Sequence, residues 1–212
     1  MSLPELTIVV PCYNGGRFFD QMFASLDRQT FRNFEVIVVD DGSTDADTKA
    51  RLQNLPVGTS VIHQENKGLA AARNTGFKAA RADIVLPLDC DDVLEPTFLS
   101  EAMALLAAAP PEVAFVFSDI KLIGGRQGVH ACDFDPFDQL FLNELPYCLM
   151  LRKSAWAAVG GYDESMRDGY GGYADWEAKR SAPRTAQRNP APKTAGATAA
   201  PTARRAKSCS CP

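Results

Sequence analysis

Nowhere in these 212 residues does an apolar run approach the roughly 20 residues that a membrane span requires, so the chain is not expected to cross a bilayer. The N-terminus offers no basic segment followed by a long apolar core, so a secretory signal is not expected either. CxxC pairs are missing too. Cys12, Cys90, Cys132 and Cys148 are scattered through the body, and Cys209 and Cys211 lie near the end. That usage excludes a disulfide framework and fits reduced thiols in a cytosolic compartment. The two histidines, His63 and His130, stand apart and read as structural or surface residues. After the first strand-like run there is no Gly-x-Gly-x-x-Gly, which argues against an NAD-dependent oxidoreductase. The same position holds no glycine-rich basic loop of the kind a sugar nucleotidyltransferase would need there.

Acidic residues are absent from one whole region. Residues 178–212 contain no Asp or Glu, and no Val, Ile, Leu, Met, Phe, Tyr or Trp, but eight basic groups, ten alanines and five prolines. Taking those eight from the total of 22 leaves residues 1–177 with 14 basic against 26 acidic groups, a net charge of −12. A body this acidic argues against nucleic acid as a partner. A tail this poor in apolar side chains cannot bury enough surface to offset chain entropy, so residues 178–212 are expected to be a disordered basic Ala/Pro-rich segment.

Within the body, apolar runs alternate with helix-like segments. Thr7–Val10 leads into Pro11-Cys12-Tyr13-Asn14, Phe34–Val39 into Asp40-Asp41-Gly42-Ser43, and Ile84–Leu88 into Asp89-Cys90-Asp91-Asp92. Helical segments are expected at about 17–28, 45–54, 68–80 and 97–108. Alternation of this kind predicts an α/β domain with a mostly parallel sheet, in which ligands bind beyond the carboxyl ends of the strands. Three carboxylates within four residues at such an end call for a cation. Two unit charges about 4 Å apart repel by about 4 kcal/mol at an effective dielectric of about 20, and oxygen ligands favour Mg²⁺ or Mn²⁺. The competing explanation is that these aspartates charge the start of the helix near Pro96. Asp45 is assigned to the cap of the 45–54 helix. Pro87 cannot donate to a ladder, so regular pairing is expected to stop there or pass through a bulge.

Taken together, Thr-Ile-Val-Val-Pro-Cys-Tyr-Asn at 7–14, Val-Val-Asp-Asp-Gly-Ser-Thr-Asp at 38–45, Asn66-Lys67-Gly68 with Ala72-Arg73-Asn74, and Asp89-Cys90-Asp91-Asp92 resemble the family 2 glycosyltransferases of the GT-A fold. Gly160-Gly161-Tyr162-Asp163-Glu164 and Tyr173-Ala174-Asp175-Trp176-Glu177 resemble that family's acceptor side, so the likeness runs over about 6–177. It implies a Rossmann-like central sheet flanked by helices and a nucleotide-sugar donor, usually a UDP-sugar. Pro11, Tyr13 and Asp41 would meet the base and ribose, and Lys67 the diphosphate. Asp89 would contact ribose or sugar, and Asp91 would coordinate Mg²⁺ or Mn²⁺. Transfer would proceed with inversion to a hydroxyl of a glycan, lipid-linked or protein acceptor, in glycan or cell-envelope biosynthesis.

The resemblance also implies a catalytic base, Asp175, although its family neighbour, an acid, is Ala174 here. The expected location is cytoplasmic, with a peripheral position at the inner face of the membrane as the alternative. Beyond Glu177 the family continues into an amphipathic helix, whereas this text changes abruptly to Ala-Lys-Arg-Ser-Ala-Pro. The expected domains are therefore 1–177, an incomplete GT-A domain, and 178–212, the tail, read as a frameshift or misassembled gene end. A nucleotide-sugar-binding remnant without transferase activity is the alternative function.

Overall fold

A computed structural model of the chain describes residues 3–123, 128–130, 148–165, 186–188 and 203–205. Asp175, with the rest of the Tyr173–Glu177 motif, lies outside the described residues.

The strands that read as unbroken apolar runs form the centre of the fold. β1 (Leu6–Cys12) is buried along all seven residues, and β2 (Phe34–Asp41) along its last six. Such runs belong to parallel strands covered on both faces. β1 pairs in parallel with β2 on one side and with β4 (Ile84–Pro87) on the other, and β2 pairs in parallel with β3 (Thr59–Gln64). Beyond β4 come β9 (Met150–Arg152), β6 (Phe115–Phe117) and β10 (Ala186–Arg188), giving the order β10-β6-β9-β4-β1-β2-β3. Only β9 runs against its neighbours. A smaller sheet joins β5 (Asp92–Leu94), β11 (Ala203–Arg205), β7 (Ile120–Leu122) and β8 (Gly128–His130). β10 and β11, of three residues each, are the described parts of residues 178–212.

Alternate residues of each strand serve opposite faces. Ile8, Val10, Val36, Val38, Leu86 and Leu88 meet α1 (Phe19–Asp27), α2 (Ala46–Leu52) and α4 (Phe98–Ala108), which contribute Phe19, Met22, Leu26, Leu52, Phe98 and Leu99. Val9, Ile37, Val39 and Val85 meet Ala70, Ala72 and Phe77 of α3 (Leu69–Ala79), with Tyr162 beside them. A short helix, α5 (Lys153–Ala158), follows β9 on that second side, where Trp156 packs edge-on against Phe77.

All four helices foreseen from the sequence are present, and Asp45 caps α2 by accepting a bond from the Thr48 N–H at 2.8 Å. β4 ends at Pro87, which stands opposite Val9, and the Leu88 N–H makes the last bond to the Val9 carbonyl. β9 lies between β4 and β6 and pairs antiparallel with both.

Gly76 sets how closely α3 approaches the sheet. A Cβ there would collide with Val9 Cγ1 and come within 3.2 Å of Val39 Cγ2. Both valines are fully buried in strands, so neither can move aside. Gly76→Ala is expected to destabilise the protein by about 1–3 kcal/mol, the usual penalty for overpacking a dense core. Urea unfolding measures it, and a midpoint equal to that of the parent would show that α3 shifts freely.

Candidate functional site

The carboxyl ends of β1, β2, β3 and β4 lie side by side along one edge of the sheet, and each passes into a polar segment. After β1 come Tyr13 and Asn14. Tyr13 is 38% exposed, the only large aromatic among the described residues so exposed. Asn14 takes a left-handed conformation, with φ of 53°, which a short polar side chain tolerates. Its Oδ1 accepts from the N–H groups of Thr44 and Asp45 at 2.7 and 3.0 Å, and its own N–H donates to Ser43 Oγ at 3.0 Å. Asn14 therefore locks the end of β1 to the loop entering α2. Pro11, one of the expected base contacts, is buried within β1 opposite Val39.

Asp40 and Asp41 end β2, and both are buried. Asp40 accepts from the Ser43 N–H at 2.9 Å and pairs with His63 Nδ1, also at 2.9 Å. Burial pushes its carboxyl up, but the bonds from Ser43 and His63 outweigh burial and hold it below the ordinary aspartate range. Asp41 accepts from Gln64 Nε2 at 2.7 Å and from the backbone N–H groups of Lys67 and Gly68, each at 2.8 Å. One carboxylate thereby fixes the loop joining β3 to α3. Lys67 joins this arrangement through its backbone, and the residue itself is exposed. Gly42 allows the approach: its φ is 72°, and a Cβ would stand 2.8 Å from the Asn66 nitrogen.

The Asp89–Asp92 segment is a tight turn, closed by the Asp92 N–H donating to the Asp89 carbonyl at 3.0 Å. Arg73, fully buried on α3, donates from Nη2 to Asp89 Oδ1 at 2.7 Å. Its guanidinium also lies 5.7 Å from the centre of the Tyr162 ring. An arginine is almost never this buried without a partner, and the acidic turn supplies one. Asp91 and Asp92 are buried as well, at 8% and 6% exposure.

Cys90, inside the turn, interacts directly with the thiol of Cys12 at the end of β1. That contact lowers the pKa of Cys12 and, together with burial and the nearby Asp91 and Asp89 charges, raises that of Cys90 well above the ordinary thiol value.

Among the described residues no three His, Cys, Asp or Glu side chains converge as a ready-made cage. A hard cation of the magnesium type does not need one, because it takes one or two carboxylates and completes its shell with phosphate oxygens and water. Asp89 and Asp91 carry the carboxylate chemistry that such an ion takes. The thiol between them is too soft to compete for such an ion.

Asn74, one residue after Arg73, also reaches Tyr162. It donates to the Tyr162 carbonyl at 2.9 Å and to Glu164 Oε1 at 2.8 Å, and accepts from Trp156 Nε1 at 3.1 Å and from the Tyr162 N–H at 2.9 Å. These bonds fasten the Gly160–Glu164 loop to α3. A cavity of about 530 Å³ opens beside them, lined by Lys78, Trp156, Tyr162 and Glu164 among others.

Sequence reasoning named the Ala72-Arg73-Asn74 motif without giving either polar residue a task, and it passed over the clamp made by Asn14. It also left His63 isolated, whereas that ring pairs with Asp40. For Arg73 a signal was present: a cation within the apolar stretch Leu69-Ala70-Ala71-Ala72 needs a buried counter-charge.

Comparison with known proteins agrees with this geometry. The family model described as glycosyl transferase family 2 matches residues 7–155. EpsH of Bacillus subtilis, which carries a glycosyltransferase designation, is 37% identical over 105 residues, covering 49% of this chain and 30% of that protein. Glycosyltransferase GlyG of Streptococcus pneumoniae is 36% identical over 99 residues, covering 44% and 32%. The chain thus spans about a third of the length of these relatives. Among solved structures, S. aureus TarS in complex with UDP superposes with a TM-score of 0.68 at 22% identity, covering 85% of this chain and 56% of that one. A mannosyltransferase of Pyrobaculum calidifontis, solved with GDP-Man and Mn²⁺, gives 0.61 at 20% identity, covering 92% and 59%. The fold is therefore of the GT-A kind, a mostly parallel sheet flanked by helices. Among the described residues no helix is long and apolar enough to cross a membrane.

Proposed function

The chain belongs to glycosyltransferase family 2, and from that premise we propose that it moves a sugar from a nucleotide donor, a UDP-sugar in the first instance, to a hydroxyl acceptor with inversion at the anomeric carbon. The observation that carries this proposal is the convergence of Tyr13, Asp41 and the Asp89–Asp92 turn on one edge of the sheet, where parallel α/β folds bind nucleotides. Tyr13 is exposed enough to lie against a base. Asp41 and Pro11 shape the pocket beneath it, Asp41 doing so by holding the Lys67-Gly68 backbone while keeping capacity to accept from the nucleoside. Lys67 brings a point charge toward the diphosphate.

Asp91, supported by Asp89, would hold Mg²⁺ or Mn²⁺, which when bound offsets charge growing on the departing nucleoside diphosphate. Arg73 keeps Asp89 oriented from behind. Asp175 is the proposed base, taking the proton of the acceptor hydroxyl as that oxygen attacks from the face opposite the leaving group. The work belongs to glycan or cell-envelope assembly on the cytoplasmic side. That the relatives' names and the neighbours' bound nucleotides and Mn²⁺ point the same way supports this assignment.

Calorimetry with UDP and Mn²⁺ tests it. Asp91→Asn and EDTA should each weaken binding by about tenfold or more, equivalent to about 1.4 kcal/mol. Asp41→Ala should weaken it even with Mn²⁺ saturating, and Asp175→Asn should leave it nearly unchanged while abolishing transfer. Affinity insensitive to both EDTA and Asp91→Asn would remove the metal from the proposal.

A further inference from the structure

We propose that Cys12 and Cys90 form an oxidation site, a dithiol that closes to a disulfide and so fastens the Asp89–Asp92 turn to the end of β1. Three observations place the two sulfurs together. β1 and β4 are neighbours in the sheet, and the turn that holds Cys90 follows directly on the last ladder bond, from the Leu88 N–H to the carbonyl of Val9, three residues before Cys12. Cys12 belongs to the hydrophobic cluster on the face shared by Ile8, Val10, Leu86 and Leu88, and Cys90 packs against that same cluster. Gly15 confirms the closeness: a Cβ there would collide with Cys90 Sγ and lie 3.7 Å from Cys12 Sγ, so glycine leaves room for both sulfurs.

The two cysteines differ in access. Cys12 is 2% exposed, whereas Cys90 is half-buried at the functional edge of the sheet. Access therefore brings a peroxide to Cys90 first, and because the Cys12 contact, burial and the neighbouring charges disfavour its thiolate, this first step is slow. Its sulfur attacks one peroxide oxygen, an S–O bond forms as the O–O bond breaks, and water leaves with the thiol proton. Cys12 Sγ then attacks the Cys90 sulfur, an S–S bond forms as the S–O bond breaks, and a second water carries off the Cys12 proton. Hydrogen peroxide is the oxidant, reduced to two waters, and a thiol such as dithiothreitol reverses the change. Cys148, also buried, takes no part, because it lies on β9's approach rather than between β1 and the turn.

The consequence for ligand binding rests on the proposed donor site. Asp91 follows Cys90 directly, so a covalent tie at Cys90 restricts the turn from which Asp91 would meet a cation.

The experiment uses the full chain with Cys132, Cys209 and Cys211 changed to serine, treated with hydrogen peroxide and then alkylated under denaturing conditions. The expected result is the loss of two alkylatable thiols, one cross-linked peptide pair carrying residues 12 and 90, and recovery of both thiols with dithiothreitol. Cys12→Ser or Cys90→Ser should abolish the cross-link. Oxidised protein should bind UDP with Mn²⁺ about tenfold more weakly, the loss usual when groups that orient a metal ligand are disturbed. Cysteines 12 and 90 both still alkylated after peroxide, or Cys90 over-oxidised without a cross-link, would overturn the site. A cross-link with unchanged UDP affinity would overturn its coupling to the donor. If the reduced protein binds no UDP, the donor assignment fails, and the cross-link still decides the dithiol on its own.

Discussion

Arg73→Ala is expected to lower stability by about 3–5 kcal/mol, the cost of breaking a buried ion pair together with emptying the volume of a large side chain. Arg73 is fully buried, and its partner Asp89 keeps 18% of its side-chain surface. Without the guanidinium, three carboxylates in four residues lose the positive charge that α3 brings beneath them, and the turn carrying Asp91 loses its support. Two readouts separate these effects. Urea unfolding reports the stability loss, and calorimetry at a temperature where the variant is still folded reports the fall in Mn²⁺-dependent UDP binding. Arg73→Lys should recover part of the stability, because charge is kept while the planar fork is not. A loss below about 1 kcal/mol for the alanine variant, in the range of exposed pairs, would show that the pair contributes no more than a surface contact.

How legible this was depended on distance along the chain. β1, β2 and β4 stand out because each is covered on both faces and so reads as an unbroken apolar run. β3, with the sequence Thr-Ser-Val-Ile-His-Gln, lies half-buried at an edge and offers neither a run nor a strict alternation, so it passed unnoticed. Asp45 was assigned correctly because a cap is local, its partner Thr48 lying three residues on. Arg73 and Asn74 act on residues 16 and 88 positions away, and no spacing rule connects those.

Asp41 illustrates a different limit. A carboxylate at the end of a parallel strand looks the same in sequence whether it meets a ligand or holds a neighbouring loop, and here it accepts three bonds from Gln64, Lys67 and Gly68. The pairing of Cys12 with Cys90 was hidden for a similar reason. The two are 78 positions apart, and only the adjacency of β1 and β4, with the turn that follows β4, brings them together.

Asn74 should prove as costly to replace as Arg73. Its amide makes four hydrogen bonds at 4% exposure, two of them to the backbone of Tyr162 and one to the indole of Trp156. Truncation to alanine strands the Tyr162 N–H and carbonyl, and each buried group left without its bond costs about 1–3 kcal/mol. Asn74→Ala should therefore lose about 3–5 kcal/mol, allowing for imperfect additivity within one network.

Asn74→Asp gives a sharper test. The carboxylate still accepts from Trp156 and the Tyr162 N–H, but it cannot donate to the Tyr162 carbonyl, and it faces Glu164. Burial and that neighbouring charge both favour the protonated form, so the folded-state pKa of the new aspartate should lie above its unfolded value of about 3.9. A raised acid destabilises the fold at high pH and recovers as pH falls through the folded value, where the protonated carboxyl regains a donor. The gap between Asn74→Asp and the parent in urea midpoint should accordingly narrow from pH 7 to pH 4.5, while the deficit of Asn74→Ala stays constant. Parallel pH profiles for the two variants would show that Glu164 and the Tyr162 carbonyl do not depend on the Asn74 amide, and that other contacts hold the Gly160–Glu164 loop against α3.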